Sequence, residues 1–234
     1  MKKIIYCFLI SSLFACNDLD LNPLAQGSSE SWFENETELE MSVRGLYNMG
    51  YWTLDSDEHT DDWTNRTVLS VINAATINGQ SSVVTTLWNK SYQAIARANT
   101  ILDNLDKAQQ NGIARKVIDQ SRAEALFARA VQYSRLVSHF GDVVYVTSSI
   151  KTLDEAFKMG RTDKAEVIKG IYADFDAAAE LLPLNYSGEE RPPKGAAYSF
   201  KARFPLYTGD MELSSAPPNN FMVLGGCDLH LCFP

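Results

Sequence analysis

Between Tyr51 and Thr85 the chain gathers the residue types that could do chemistry: Asp55, Asp57, Asp61 and Asp62, with Trp63, Asn65 and Arg66 directly behind them. Two chemistries are open to such a set. A pair of carboxylates flanking a glycosidic bond can hydrolyse it by acid–base catalysis. Asp and Thr clusters more often cap turns, however, and adjacency in sequence does not select a catalytic pair. Binding asks for less. An exposed indole stacks on the apolar face of a sugar while amide, carboxylate and guanidinium groups bond its hydroxyls. Asp61, Trp63, Asn65 and Arg66 offer those groups on one stretch, and they are the candidate ligand residues. The plainer reading is that Trp63 anchors the stretch to a core. His59, His139 and His230 have no Ser or Cys arranged with them as a nucleophile pair, and neither GxSxG nor HExxH occurs, so no enzyme is expected. Cys227, His230 and Cys232 lie within six residues of one another, match no zinc spacing and lack a second ligand pair. No metal and no cofactor is expected.

The ends of the chain bear on where it works. Lys2 and Lys3 precede an apolar run from Ile4 to Leu13, too short to span a bilayer, which reads as a removable secretory leader. Leu13-Phe14-Ala15-Cys16 resembles a bacterial lipobox, with cleavage before Cys16 and lipid attached to its sulfur; an ordinary leader with an incidental cysteine is the alternative. Residues 16–31 are acidic at the start and then turn to Pro23 and Gly27, as suits a tether between anchor and body. Without Lys2 and Lys3 the balance is 19 basic against 29 acidic residues. That excess argues against nucleic acid or anionic lipid headgroups as a partner surface.

The elements that would position the candidate residues are helices. Leu87, Ser91, Ala94, Ala98, Ile101 and Leu105 recur at steps of four and three, and Trp88, Tyr92, Ile95, Asn99 and Leu102 repeat this one position on. Two adjacent stripes predict a helix from Thr86 covered from two sides. Ala123, Leu126, Ala130, Tyr133, Val137 and Phe140 mark a second helix, and Asn111-Gly112 between them makes an antiparallel hairpin. Asn35 with Glu38 caps a helix before this pair. Asp163 with Glu166 caps one after it, which runs through Ile168, Ile171, Phe175, Ala178 and Leu182 until Pro183. Residues 51–85 and 147–162 read as connections. Arg122, Glu124 and Arg129 read as scaffold ion pairs, worth little if exposed. A last helical segment covers 194–208, although Pro205 mid-stripe costs roughly 3 kcal/mol in a helix interior. Beyond Leu213 the pattern stops, and SSAPPNN with an aperiodic end follows.

The order and spacing of these pieces resemble the N-terminal half of a SusD/RagB-family lipoprotein. The resemblance rests on the Cys16 lipobox, Trp32-Phe33, Gly45-Leu46-Tyr47 and Trp88-x3-Tyr92-x2-Ile95-x3-Asn99-x2-Leu102. It continues through Arg122-Ala123-Glu124-Ala125, Arg129-Ala130-x2-Tyr133-x2-Leu136, Phe140-Gly141-Asp142-Val143, Arg161-Thr162, Ala179-x-Leu181-Leu182-Pro183 and Lys194-Gly195-Ala196-Ala197. It implies an all-α fold of tetratricopeptide-like helical hairpins with long loops, here without the C-terminal half of the family fold. The implied layout is a signal peptide over 1–15, a tether over 16–31, a helical domain over 32–213 and an aberrant, disordered tail over 214–234. It further implies an outer-membrane, lipid-anchored, surface-exposed protein. Such a protein captures oligosaccharide or another nutrient for a TonB-dependent transporter of the SusC-like kind. The rival expectations are a lipoprotein adaptor that binds protein on the same scaffold, and a truncated remnant without function.

Overall fold

The computed structural model describes residues 32–52, 71–72, 74–186 and 191–209. The chain divides into two units, Met1–Trp32 and Phe33–Pro234, and the described helices all belong to the second. Its first helix, α1 (Glu36–Arg44), starts where the sequence places it: the Asn35 side chain accepts from the Glu38 amide at 3.0 Å. Two 3₁₀ turns, Gly45–Tyr47 and Met49–Tyr51, then carry the chain to Trp52.

The hairpin is the body of the fold. Helix α2 (Ser82–Gln110) begins four residues before the expected Thr86, with Ser81 at its N-cap; the Ser81 hydroxyl accepts from the Asn78 amide instead of capping the helix. Helix α3 (Arg115–Phe140) follows a turn in which Gly112 takes φ +86°, a left-handed conformation that a Cβ would strain. Burial in α3 exceeds a single stripe: Ala123 to Tyr133 is buried almost throughout, on every side of the helix. Such a helix is the centre of its fold, and its four buried alanines, Ala123, Ala125, Ala128 and Ala130, let neighbours approach closely. The two stripes of α2 are both used. Ser91, Ala94, Ala98, Ile101 and Leu105 are buried along one, and Tyr92 and Asn99 on the other reach the segment 143–149.

After α3, Gly141 at φ +70° ends the helix and Val143 pairs with Thr162 in an isolated antiparallel bridge. The described residues form no strand. The connection expected over 147–162 contains a short helix, α4 (Leu153–Lys158), whose Thr152 cap accepts from Glu155. Six residues give too few repeats for periodicity to register. Helix α5 (Lys164–Leu181) packs on α3 through Ile171, Phe175 and Ala178, and Asp163 caps it by accepting from Ala165 at 2.8 Å. The last expected helix is two. Helix α6 (Lys194–Arg203) stops at Phe204, and α7 (Pro205–Thr208) restarts with Pro205 at its first position, where a missing N–H costs nothing. The penalty expected for a proline in a helix interior is thereby avoided. The tail expected over 214–234, like the leader and the tether, lies outside the described residues.

Candidate functional site

Of the candidate ligand residues, Asp61, Trp63, Asn65 and Arg66 all lie outside the described residues, as do Cys16 and the Cys227–Cys232 cluster. The described residues stop at Trp52 and resume at Val71. Trp52 is held by aromatic stacking. The Trp52 ring lies between Tyr47 and Phe127, with centroids 6.4 and 6.0 Å away, and its Nε1 donates to the Leu46 carbonyl at 2.7 Å. One residue back, the Tyr51 carbonyl accepts from Gln132 Nε2 and Arg135 Nη1, each at 2.9 Å. Arg97 and Lys90 sit over the Tyr51 ring at 5.2 and 5.9 Å. The residues expected to bind thus come shortly after a rigid stem.

Beside that stem lies a cluster that the sequence did not reveal. Glu124, fully buried in α3, accepts from Tyr47 Oη at 2.5 Å, Tyr186 Oη at 3.0 Å, Arg191 Nη1 at 3.1 Å and Gln120 Nε2 at 3.2 Å. Arg191 also pairs with Glu40 of α1 and lies over the Tyr186 ring. Both oxygens of the carboxylate are engaged, so Glu124 holds chain segments together. Burial, and then the adjacent Glu124 charge, push the Tyr47 hydroxyl well above its usual range. Burial pulls the Arg191 guanidinium down. Nothing in the local spacing could have found this cluster, because its members are up to 151 positions apart.

A second buried network crosses the opposite side of α3. Arg129 grips Asp174 through two bonds, at 2.7 and 2.8 Å, and donates from Nη1 to Asn99 Oδ1 and the Thr147 carbonyl, both at 2.9 Å. Burial lowers the guanidinium pKa, but the Asp174 hydrogen bonds and charge outweigh it and hold it above the usual value. Asn99 Nδ2 reaches the carbonyls of Val146 and Ser148, Tyr92 Oη donates to that of Val144, and Tyr133 Oη accepts from the Val146 amide at 2.7 Å. Glu124 and Arg129 are thus members of scaffold ion pairs, as expected, and because both are buried and multiply bonded the low worth of an exposed pair does not apply to them. Trp88 lies on the α2 stripe as expected, half-buried against Tyr92 and Phe140.

Among the described residues no three His, Cys, Asp or Glu side chains are grouped to hold a metal ion. A shallow hollow at the end of α2 is lined by Asp106, Gln109 and Gln110, which offer hydrogen bonds but no stacking ring.

Comparison with known proteins agrees with the geometry. A SusD-like family profile described as starch-binding and associating with the outer membrane matches residues 20–206. SusD-like protein P2 of Formosa agariphila is 28% identical over 229 residues, covering 90% of this chain and 44% of that protein. SusD-like protein P25 of the same organism is 30% identical over 208 residues, 80% of this chain and 39% of its own length. Among solved structures, a SusD-like carbohydrate-binding protein of Bacteroides fragilis superposes with a TM-score of 0.69 at 24% identity, covering 82% of this chain and 41% of that one. A laminarin-binding SusD-like protein gives 0.68 at 22% identity, covering 80% and 43%. The chain spans less than half the length of these relatives. Its described residues are helical hairpins without strands, solved relatives share the fold, and a profile matches most of its length: the chain belongs to the SusD-like family.

Proposed function

We propose that this chain is a lipid-anchored, surface-exposed protein of the outer membrane that binds oligosaccharide for uptake with a SusC-like, TonB-dependent transporter. The observation that carries the reading is the family match over residues 20–206, together with relatives named as carbohydrate- and laminarin-binding. In this reading residues 1–15 are the leader, Cys16 bears the lipid, 16–31 form the tether, 32–213 the binding body and 214–234 an aberrant tail. Asp61, Trp63, Asn65 and Arg66 contact the ligand, with the indole under the sugar ring and the polar groups on its hydroxyls. Their position in the chain, shortly after the stacked, doubly bonded Tyr51–Trp52 stem, supports the assignment. The two carboxylates beside that stem, Glu124 and Glu40, are committed to Arg191, so binding without catalysis is the role proposed.

The test is titration with laminari- and malto-oligosaccharides by calorimetry, on the parent and on Trp63→Ala. Loss of about tenfold or more in affinity, with an unchanged thermal melt, is the expected result for one stacking ring. Equal affinity in the two proteins would remove Trp63 from the site.

A further inference from the structure

An asparagine followed by glycine is the step at which a peptide chain most readily loses ammonia from a side chain. It occurs twice here, at Asn78-Gly79 and Asn111-Gly112. The backbone nitrogen of the glycine gives up its proton and attacks the asparagine Cγ. A five-membered imide closes, the Cγ–Nδ2 bond breaks, and Nδ2 leaves as ammonia. Water then opens the imide at either carbonyl, giving aspartate or isoaspartate. Glycine favours closure because it has no Cβ in the way and its backbone turns freely. In a folded chain two conditions decide the outcome. The glycine N–H has to be unbonded, and the carboxamide has to be free to move onto it.

Asn111-Gly112 meets neither condition. The Gly112 amide donates to the Gln109 carbonyl at 3.1 Å, and the Asn111 amide to that of Lys107 at 3.0 Å. Asn111 Nδ2 donates to the Phe33 carbonyl at 3.1 Å, which ties the hairpin turn to the chain ahead of α1. Ring closure there would undo the end of α2 and release Phe33. Asn78-Gly79 differs at each point. Both residues are exposed, and among the described residues the Gly79 amide has no acceptor. A Cβ built on Gly79 meets nothing within 4 Å beyond its neighbours in the chain. Asn78 Oδ1 accepts from the Gln80 amide at 2.9 Å, an Asx turn that draws the carboxamide over the peptides that follow it. The leaving group, Nδ2, holds only a 3.4 Å contact with the Thr76 carbonyl, at the limit of a hydrogen bond. Two bonds with Ser81 complete the turn, Asn78 N–H to Ser81 Oγ at 2.9 Å and Ser81 N–H to the Asn78 carbonyl at 3.0 Å. Neither engages Gly79.

We infer that Asn78 is a site of spontaneous covalent modification, converted to aspartate and isoaspartate through the Gly79 nitrogen, while the fold protects Asn111 from the same chemistry. Each conversion takes the chain one charge beyond its formal −8. The two products act differently on α2, whose first turn holds no acidic residue and whose Ser81 cap gives it no side-chain bond. Aspartate keeps an acceptor for the Gln80 amide and brings negative charge to the helix N-terminus, where the macrodipole favours it. Isoaspartate routes the backbone through the side-chain carbon. That extra methylene lies inside the turn that joins the Asn78 carbonyl to Ser81. Nothing in this inference depends on the proposed glycan ligand.

The test incubates the whole chain from residue 17 at mildly alkaline pH in water enriched in heavy oxygen, folded and, in parallel, unfolded in guanidinium. Trypsin, added afterwards in ordinary water, releases Asn78 in the peptide 67–90 and Asn111 in 108–115. Mass spectrometry counts the heavy oxygen each has taken up, and an isoaspartyl methyltransferase labels the isoaspartate. In the folded chain Asn78 should convert roughly tenfold or more faster than Asn111, where two hydrogen bonds have to open first. In the unfolded chain the two should convert at similar rates. Gly79→Ala, for which there is room, should slow Asn78 and leave the thermal melt unchanged. Equal rates in the folded chain overturn the inference, as does an Asn78 that converts only when unfolded. A difference that persists in guanidinium also overturns it, because neighbouring residues rather than the fold would then be the cause. Aspartate without isoaspartate, or a Gly79→Ala chain that converts as fast as the parent, rules out attack by the Gly79 nitrogen. No sugar enters the assay, so its failure leaves the glycan reading standing, and loss of glycan binding leaves this one.

Discussion

At the residue scale the molecule depends on two buried charges. Arg129 and Asp174 are held by four hydrogen bonds from the arginine, two of them to the carboxylate. Removing one member leaves the other buried and unpaired, so Asp174→Ala should cost about 3–5 kcal/mol in urea unfolding followed by circular dichroism. Arg129→Met combined with Asp174→Leu should recover much of that loss, because neither charge is then stranded. A second expectation concerns alkali. Burial pushes Tyr92 from 10.0 to about 12 and raises Tyr47 and Tyr133 as well. These hydroxyls stay protonated in the fold where the unfolded chain would ionise them. Their contribution is therefore complete below pH 10 and is lost as pH rises from 10 through 12. Melting temperature followed across that range should fall, and Tyr92→Phe should make the fall shallower. Little at this scale is legible in the sequence. Glu124 and Arg129 stand there as charges on a helix, but their worth depends on burial and on partners up to 77 positions away, which no local pattern encodes.

Elements are far more legible, and the exceptions have physical causes. The long helices carry enough apolar repeats to be read directly, and the Asn35 cap sits where its residue type demands. Helix α4 is six residues long with its apolar side chains exposed, so neither count nor burial distinguishes it from a loop. Pro205 looks like a fault inside one helix when only the stripe is considered, whereas it starts another. A position on α5 gives a sharper test of packing between elements. A Cβ built on Gly170 falls 2.0 Å from the Tyr145 hydroxyl and 2.6 Å from the ring carbon that bears it. Alanine has the higher helix propensity, but here the ring stands in its way, and Tyr145 is itself packed edge-on to Tyr133 at 4.9 Å. Gly170→Ala should destabilise by about 1–3 kcal/mol. Made on a Tyr145→Ala background, the same exchange should stabilise by about 0.5–1 kcal/mol. A thermal-melt cycle of the four proteins reads both signs.

At the scale of the whole molecule, the described helices bring their own core. Phe127, Tyr133, Phe175 and Phe204 from α3, α5 and the α6–α7 junction are buried in one cluster. A chain ending at Gly209 should accordingly melt in one transition, at a temperature close to that of the full chain, by circular dichroism at about 222 nm; a broad, non-cooperative loss of helix would refute this. Residue types alone single out the candidate ligand residues, and what the fold adds is the stem that precedes them. The Glu124 clamp has a consequence of another kind. It joins α1, the centre of α3 and the chain before α6 across separations of 62 to 151 positions, whereas the α2–α3 hairpin closes over a four-residue turn. Loop-closure entropy lets the hairpin form early and the clamp only after Arg191 has emerged and returned to Glu40. Until then Glu124 is a carboxylate on a helix without its guanidinium, and the order of events along the chain, not the strength of any one bond, sets when the body becomes whole.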